Sequence, residues 1–314
     1  MAGLLEAREK LKLFFMKNQM YIQPTLKFLL AIGVIFLINS KIGYMSILVN
    51  PVVVFVAALI CAVLPMNVTL AIGAVYLVGN GFALSLEVAI VAVVMLLLMF
   101  LLYYRFSPKD SCVIILVAVA FAIRIPYLAP LLVGLMATPV SMIPMSFGII
   151  IYYFVKFVSG NSGVLASAAD TDMFSKISLI AENVFSDREM ILILVAFMAT
   201  VVVTYMVRRL NIDYAWTMAS VVGTLTMLLI MLVGQFMLNT NKSVVGMLIS
   251  MVISFALSLG MQLFAFCLDY SRTEYVQFED DEYYYYVKAV PKMNVSATEK
   301  KVKNITSRKK FYEE

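Results

Sequence analysis

Residues 111–139 read SCVIILVAVAFAIRIPYLAPLLVGLMATP. An apolar run that starts at Ser111 meets Arg124 and Pro126, and a second apolar run then ends at Thr138 and Pro139. Proline lacks a backbone donor and its ring clashes with the preceding turn, so a single straight helix cannot continue through it. Residues 50–81, NPVVVFVAALICAVLPMNVTLAIGAVYLVGNG, repeat the arrangement around Pro65. Each apolar arm holds about 11–15 residues, whereas a membrane crossing needs about 20. Backbone breaks inside a bilayer are tolerated only where protein or a water-filled cavity surrounds them, and such breaks mark pathways and binding sites. The two pairs are therefore expected to be short and Pro-broken, each either a re-entrant hairpin or two thin crossings, entering from opposite faces.

Composition sets the frame around them. Hydrophobic residues make up 63% of the 314, charged residues 14%, and the mean hydropathy is +0.95. A soluble domain carries about 45–50% apolar and about 25% charged residues, so the expected fold is an all-α polytopic integral membrane protein with about 8–10 passes. The N-terminal residues are charged and mixed before the first apolar run, which does not fit a cleavable signal. There is no histidine. That excludes histidine acid–base catalysis and histidine metal ligation. Cys61, Cys112 and Cys267 all fall in apolar segments, as buried thiols do. No cofactor, metal site or catalytic residue is expected, and the chain is not read as an enzyme. The net charge of +5 collects at the ends and in short links; it reads as membrane orientation rather than nucleic-acid binding.

Three regions follow. Residues 1–20 are expected to form an amphipathic helix in the interface, with Leu4, Leu11 and Phe15 on one face and Arg8, Lys10, Lys12 and Lys17 reaching headgroups. Residues 21–268 form the membrane domain. Its elements are a span over 25–38, a pair over 50–78, a Gly79-Asn80-Gly81 turn, and a span over 82–104. A second pair over 111–137, a helix ending near Phe157, a loop over 158–188, and spans over 190–207, 214–238 and 243–268 complete it. Within the loop, Met173, Ile177, Ile180 and Val184 recur at helical spacing, as in a helix lying on the membrane surface or a lid. Residues 269–314 are a polar tail. Cytoplasmic links carry excess Lys and Arg. Arg105 with Lys109, Arg208 with Arg209, and both chain ends are all cytoplasmic only if each broken pair makes an even number of crossings. The acid-rich 158–188 loop then lies outside. The order of short helix, proline, Gly-containing helix and longer helix occurs twice, and three elements per unit would make it an inverted repeat.

Arg124 is the leading candidate for solute recognition. It lies about 19 Å along its arm from Ser111, a depth at which a guanidinium is costly and usually has a partner or a task. It either binds an anion with the free N–H groups after Pro126, beside Tyr127, or it snorkels outward or pairs with Glu87. Asn67 and Thr69 follow Pro65 at the corresponding turn; they either line the opposite tip or cap the second arm. Gly246, Ser250, Ser254, Ser258 and Gln262 recur every four residues, a stripe suited to close helix packing or to a pathway wall, and Ala219 and Gly223 in the preceding span are expected to supply a similar contact.

The tail carries Glu279, Asp280, Asp281 and Glu282, then Tyr283, Tyr284, Tyr285 and Tyr286. The segment from Tyr283 to Val290 has strand-forming composition and either adds an edge strand to a cytoplasmic protein partner or is a juxtamembrane hairpin or disordered segment with its tyrosines at the headgroups. Together with the RFSPKD link and IPYLAPLLVGL, this tail resembles a family of multi-pass membrane proteins of clostridial-type bacteria with no assigned activity. The resemblance implies a bacterial plasma membrane location and nothing about mechanism. Two functions stay open: a permease for a small, anionic solute with a midplane site between the broken pairs, or a scaffold that recruits a partner through its tail. The bilayer is a partner in either case, and self-association of the chain is compatible with both.

Overall fold

The computed structural model describes residues 10, 13–15, 17–166, 173–238, 243–265, 274–280 and 282–289. The chain divides into two compact units, one over Asn18–Ala265 and one made of both chain ends, Met1–Lys17 with Phe266–Glu314. The larger unit is helical: α1 (Gln19–Ile42), α2 (Ser46–Val49), α3 (Pro51–Val63), α4 (Met66–Leu84), α5 (Leu86–Phe106), α6 (Ser111–Ala122), α7 (Leu128–Met136), a 3-10 turn (Pro139–Ser141), α8 (Met142–Gly160), α9 (Ser162–Ala166), α10 (Met173–Phe185), α11 (Arg188–Arg208), α12 (Ala215–Leu238) and α13 (Val244–Ala265). Seven of the described helices are long and apolar enough to cross a membrane, with α3 and α6 as shorter apolar helices. Large apolar side chains such as Val63, Phe36 and Phe236 stand in the open at 83%, 67% and 79% exposure. A water-soluble fold would bury that area; a bilayer does not require it. The protein is a multi-pass, all-α membrane protein.

The second broken pair lies close to its expected place. Helix α6 ends at Ala122, and the chain turns at 123–127 into α7, in which every residue from Ala129 to Leu135 is buried. Helix α6 runs parallel to α8: a Cβ on Gly148 would meet Val117, and Phe121 stacks on Tyr152 with centroids 4.2 Å apart. Helix α7 runs parallel to α11, with Tyr127 against Phe197 and Gly134 against Thr204. The Ser141 hydroxyl donates to Asp110 Oδ2 at 2.6 Å, so the pair leaves where it entered. Arg208 closes the far end of α7 by donating to the carbonyls of Leu135 and Ala137, as cations do at helix C-termini.

The first pair differs from its reading. The break at Leu64–Pro65 is real, but α4 is a full 19-residue helix and Gly79-Asn80-Gly81 lies inside it. The glycines serve contact rather than a turn: Leu48 reaches the space of a Cβ on Gly79, and Val88 and Ala89 pack on Gly81. Asn80, fully buried, accepts from Met45 N at 3.1 Å and donates to Asn39 Oδ1 and Tyr76 O. It ties the 43–49 segment to α1 and α4. Asn80→Leu removes the partner of Met45 N and Asn39 Oδ1 and is expected to cost about 1–3 kcal/mol, read as a lower unfolding temperature in detergent.

Other boundaries shift for simple reasons. The first span begins at Gln19 rather than near Thr25, tolerating Pro24 within its second turn, and ends at Ile42. The span expected over 82–104 is Leu86–Phe106, capped by Ser85, which accepts from Val88 N. Helix α10 occupies the 158–188 loop, but Ile180 and Val184 are buried in the core that also holds Met95, Met99 and Phe154, so half its apolar stripe faces protein. Most of the expected 1–20 interfacial helix lies outside the described residues. The two helix triplets, α3–α4–α5 and α6–α7–α8, do run in opposite senses, yet their middle members hold 19 and 9 residues.

Helices α11, α12 and α13 pack antiparallel in turn. Gly223 and Gly234 of α12 meet Thr204 and Leu192 of α11, and Gln262 Nε2 of α13 donates to Thr217 Oγ1 at 2.9 Å. In the α13 stripe Ser254 and Ser258 are fully buried, their hydroxyls on the Ser250 and Phe255 carbonyls. Gly246, by contrast, is exposed, while Gly223 makes a close small-residue contact of this kind, against α11.

In the smaller unit, β1 (Glu274–Glu279) and β2 (Tyr284–Ala289) form an antiparallel hairpin with Phe278 opposite Tyr285 and Val276 opposite Val287. Period-two alternation places these four on one face, and Phe278 stacks on Tyr285 at 4.9 Å. The strand thus begins at Tyr284 rather than Tyr283. Asp280 N donates to Tyr283 O across the turn.

Candidate functional site

The sequence placed Arg124, Tyr127, Asn67, Thr69 and Glu87 around one midplane site. The structure separates them. Asn67 Oδ1 lies 2.9 Å from the Tyr103 hydroxyl, which is also 2.6 Å from Pro108 O. The first break therefore sits at the end of the bundle where α5 finishes and α6 starts. Arg124 is thirteen residues beyond Ser111, about 20 Å away along the helix rise. The two breaks lie at opposite ends, and their tips do not meet. The expected capping role also fails: α4 begins at Met66 after Pro65, with no side-chain cap. Thr69 is buried at 3% exposure beside the Cys61 thiol. Glu87 sits in the first turn of α5, where its charge complements the helix N-terminus, and makes no ion pair with Arg124.

Arg124 itself is unusual. Its φ is 61°, the left-handed region that a branched or long side chain rarely takes. The cause is local. Arg124 N donates to Phe121 O at 3.2 Å, and Ile125 N donates to Ala120 O at 2.9 Å. This is the paired closure of a helix C-terminus in which the left-handed position is normally glycine. The Ser250 hydroxyl of α13 donates to Arg124 O at 3.1 Å and fixes the turn from outside. The arginine is exposed, although glycine would fold there at lower cost.

Around the turn stands a group of polar aromatics and charges. Tyr153 of α8 donates its hydroxyl to Glu189 Oε1, and Lys156 Nζ lies 3.5 Å from Glu189 Oε2 and 4.9 Å from the Tyr153 ring centre. Tyr127, 5% exposed, packs edge-on to Phe197 at 6.2 Å. Tyr152 stacks on Phe121 and lies within electrostatic reach of Arg124, Lys156 and Glu189. Asp187 caps α11 by accepting from Glu189 N at 2.9 Å. The arrangement can offer one guanidinium, one ammonium and phenolic hydroxyls to a ligand while Glu189 balances Lys156.

The sequence reading missed Tyr152, Tyr153, Lys156 and Glu189. The available signal was the Tyr-Tyr-x-x-Lys spacing near the end of one span facing Asp187-Arg188-Glu189 at the start of the next. Of the tail residues, Tyr283, Tyr284, Tyr285 and Tyr286 are exposed on the hairpin, as are Glu279 and Asp280; Asp281 lies outside the described residues. No group of three or more potential metal ligands occurs among the described residues. No protein-family description, curated protein or solved structure matches the chain.

Proposed function

We propose that the chain is a permease-type membrane protein that recognises an anionic group of a small solute at Arg124, on the tip of the second broken pair. The observation that carries this reading is the left-handed backbone of Arg124. A position built for glycine holds an arginine, and strain of this kind persists where the side chain has a task. Tyr152 and Lys156 supply further donors beside it, and the buried arm α7 links the tip to Arg208 at the other end. Orientation follows from charge: Arg105, Lys109, Arg208 and Arg209 share the end at which α5, α7 and α11 finish, which makes that end cytoplasmic under the positive-inside rule. Both chain ends then lie in the cytoplasm of a bacterial cell and the Arg124 tip faces out. Transport is favoured over catalysis because the chain has no histidine for acid–base work.

The test is anion-dependent thermal stabilisation of the purified protein, with phosphate, sulfate and short carboxylates as probes. Wild type gains stability with at least one of them and Arg124→Gln does not; an equal response from both would end the proposal. A second reading, recruitment of a cytoplasmic partner, draws on the tail hairpin, whose Val276, Phe278, Tyr285 and Val287 are all exposed at 38–51%. Truncation at Asp269 would abolish pull-down of a partner in that case and leave anion stabilisation intact in the first.

A further inference from the structure

On the lipid-facing side of α4 and α5 an open groove of about 810 Å³ runs between the helices, lined by Ala71, Val75 and Gly79 among others on one and by Val93, Leu101 and Tyr104 among others on the other. Ala, Val and Gly residues on α4 make the shallow trough, and longer apolar ones on α5 make its rim. From Val93 to Tyr104 the groove is about 16 Å long, which is half of the roughly 30 Å hydrocarbon thickness. It therefore has the depth of one leaflet. At its lower end the character changes abruptly. Arg105 stands one turn beyond Leu101 on the same helix face, Lys109 follows in the link, and both are exposed. Neither forms an ion pair among the described residues. An apolar trough one leaflet deep that ends in two open cations has the charge and length of one class of molecule.

We infer that this groove holds an acyl chain of an anionic phospholipid, with the headgroup phosphate at Arg105 and Lys109. Anionic lipid is drawn to basic side chains at the membrane surface, each worth about a fivefold preference. Such a lipid would wedge against α4 and α5, far from the Arg124 tip, so the inference does not depend on the solute reading.

Native mass spectrometry of the full chain in detergent tests it, with phosphatidylglycerol and phosphatidylcholine of identical acyl chains as probes. Wild type is expected to retain phosphatidylglycerol at least about fivefold more than phosphatidylcholine. Arg105→Gln should cut that preference about fivefold, and Ala71→Phe, a change at an exposed position, should fill the trough and remove both adducts. Equal retention of the two lipids by wild type overturns the inference. So does undiminished phosphatidylglycerol binding by Ala71→Phe, or a wild-type dimer that Ala71→Phe splits, which would make a second copy the occupant. If Ala71→Phe does not fold, the surface change Arg105→Gln decides alone.

Discussion

Gly134→Ala and Gly223→Ala are each expected to destabilise the bundle by about 1–3 kcal/mol, and only the second to be rescued by Thr204→Ala. Both glycines face Thr204, one from α7 and one from α12. A Cβ on Gly134 would lie 2.7 Å from Thr204 Cβ and 3.3 Å from Val201 O, both close to backbone and unable to swing away. Removing the hydroxyl and methyl of Thr204 leaves that clash in place. A Cβ on Gly223 would instead collide with Thr204 Oγ1, while Thr204 Cβ is 3.4 Å away and Leu131 Cδ2, a flexible end, 3.2 Å. Thr204→Ala deletes the colliding atom and leaves ordinary contact. The Thr204 side chain is fully buried and its hydroxyl has no partner among the described residues, so the single change should cost little. Unfolding temperatures of the wild type, the three single variants and the two double variants in detergent give the coupling directly. Rescue of both glycine variants, or of neither, would mean that α7 does not sit between α11 and α12 as described.

Arg124→Gly and Arg124→Gln are expected to abolish anion binding alike, while only the glycine variant gains stability. Glycine takes the left-handed conformation freely, which relieves about 1–2 kcal/mol of strain, partly offset by the extra freedom of its unfolded chain. The net change is stabilising by up to about 1 kcal/mol. Glutamine keeps the strain and loses only the charge. At a probe concentration one hundred times its dissociation constant, wild type gains about 2.7 kcal/mol, a shift that both variants should lack. A variant that is less stable with glycine than with arginine would show that the guanidinium itself holds the turn, and the reading of Arg124 as a recognition residue would lose its basis.

Legibility followed how local the determining physics was. The second break was readable because Pro126 acts within one turn of itself, and the boundaries at Ala122 and Leu128 follow from it. The spans after Arg188 were readable because their ends carry Asp187, Arg208 and Arg209, charges that cannot sit in hydrocarbon. Gly79-Asn80-Gly81 was misread because turn propensity is a weak local preference. Here a buried Asn80 bonds to Asn39 and Met45, each more than thirty residues away, and the helix runs on. The candidate site was only partly legible for the same reason. Arg124 and Tyr127 could be picked out one by one, but Asn67 and Thr69 were grouped with them on the assumption that both tips reach the midplane. Nothing in a linear chain says how far a short arm travels, and the Glu189–Tyr153 contact joins helices 36 residues apart.

Sidedness of the two breaks tests the account most directly. In a variant with Cys61, Cys112 and Cys267 replaced by serine, single cysteines are introduced at Leu64 and at Arg124, both exposed, and challenged with a membrane-impermeant maleimide in right-side-out and inverted vesicles. The expected result is labelling of Arg124→Cys only from the outer face and of Leu64→Cys only from the cytoplasmic face. Labelling of both from one face, or protection of both as at tips that meet within the membrane, would contradict it.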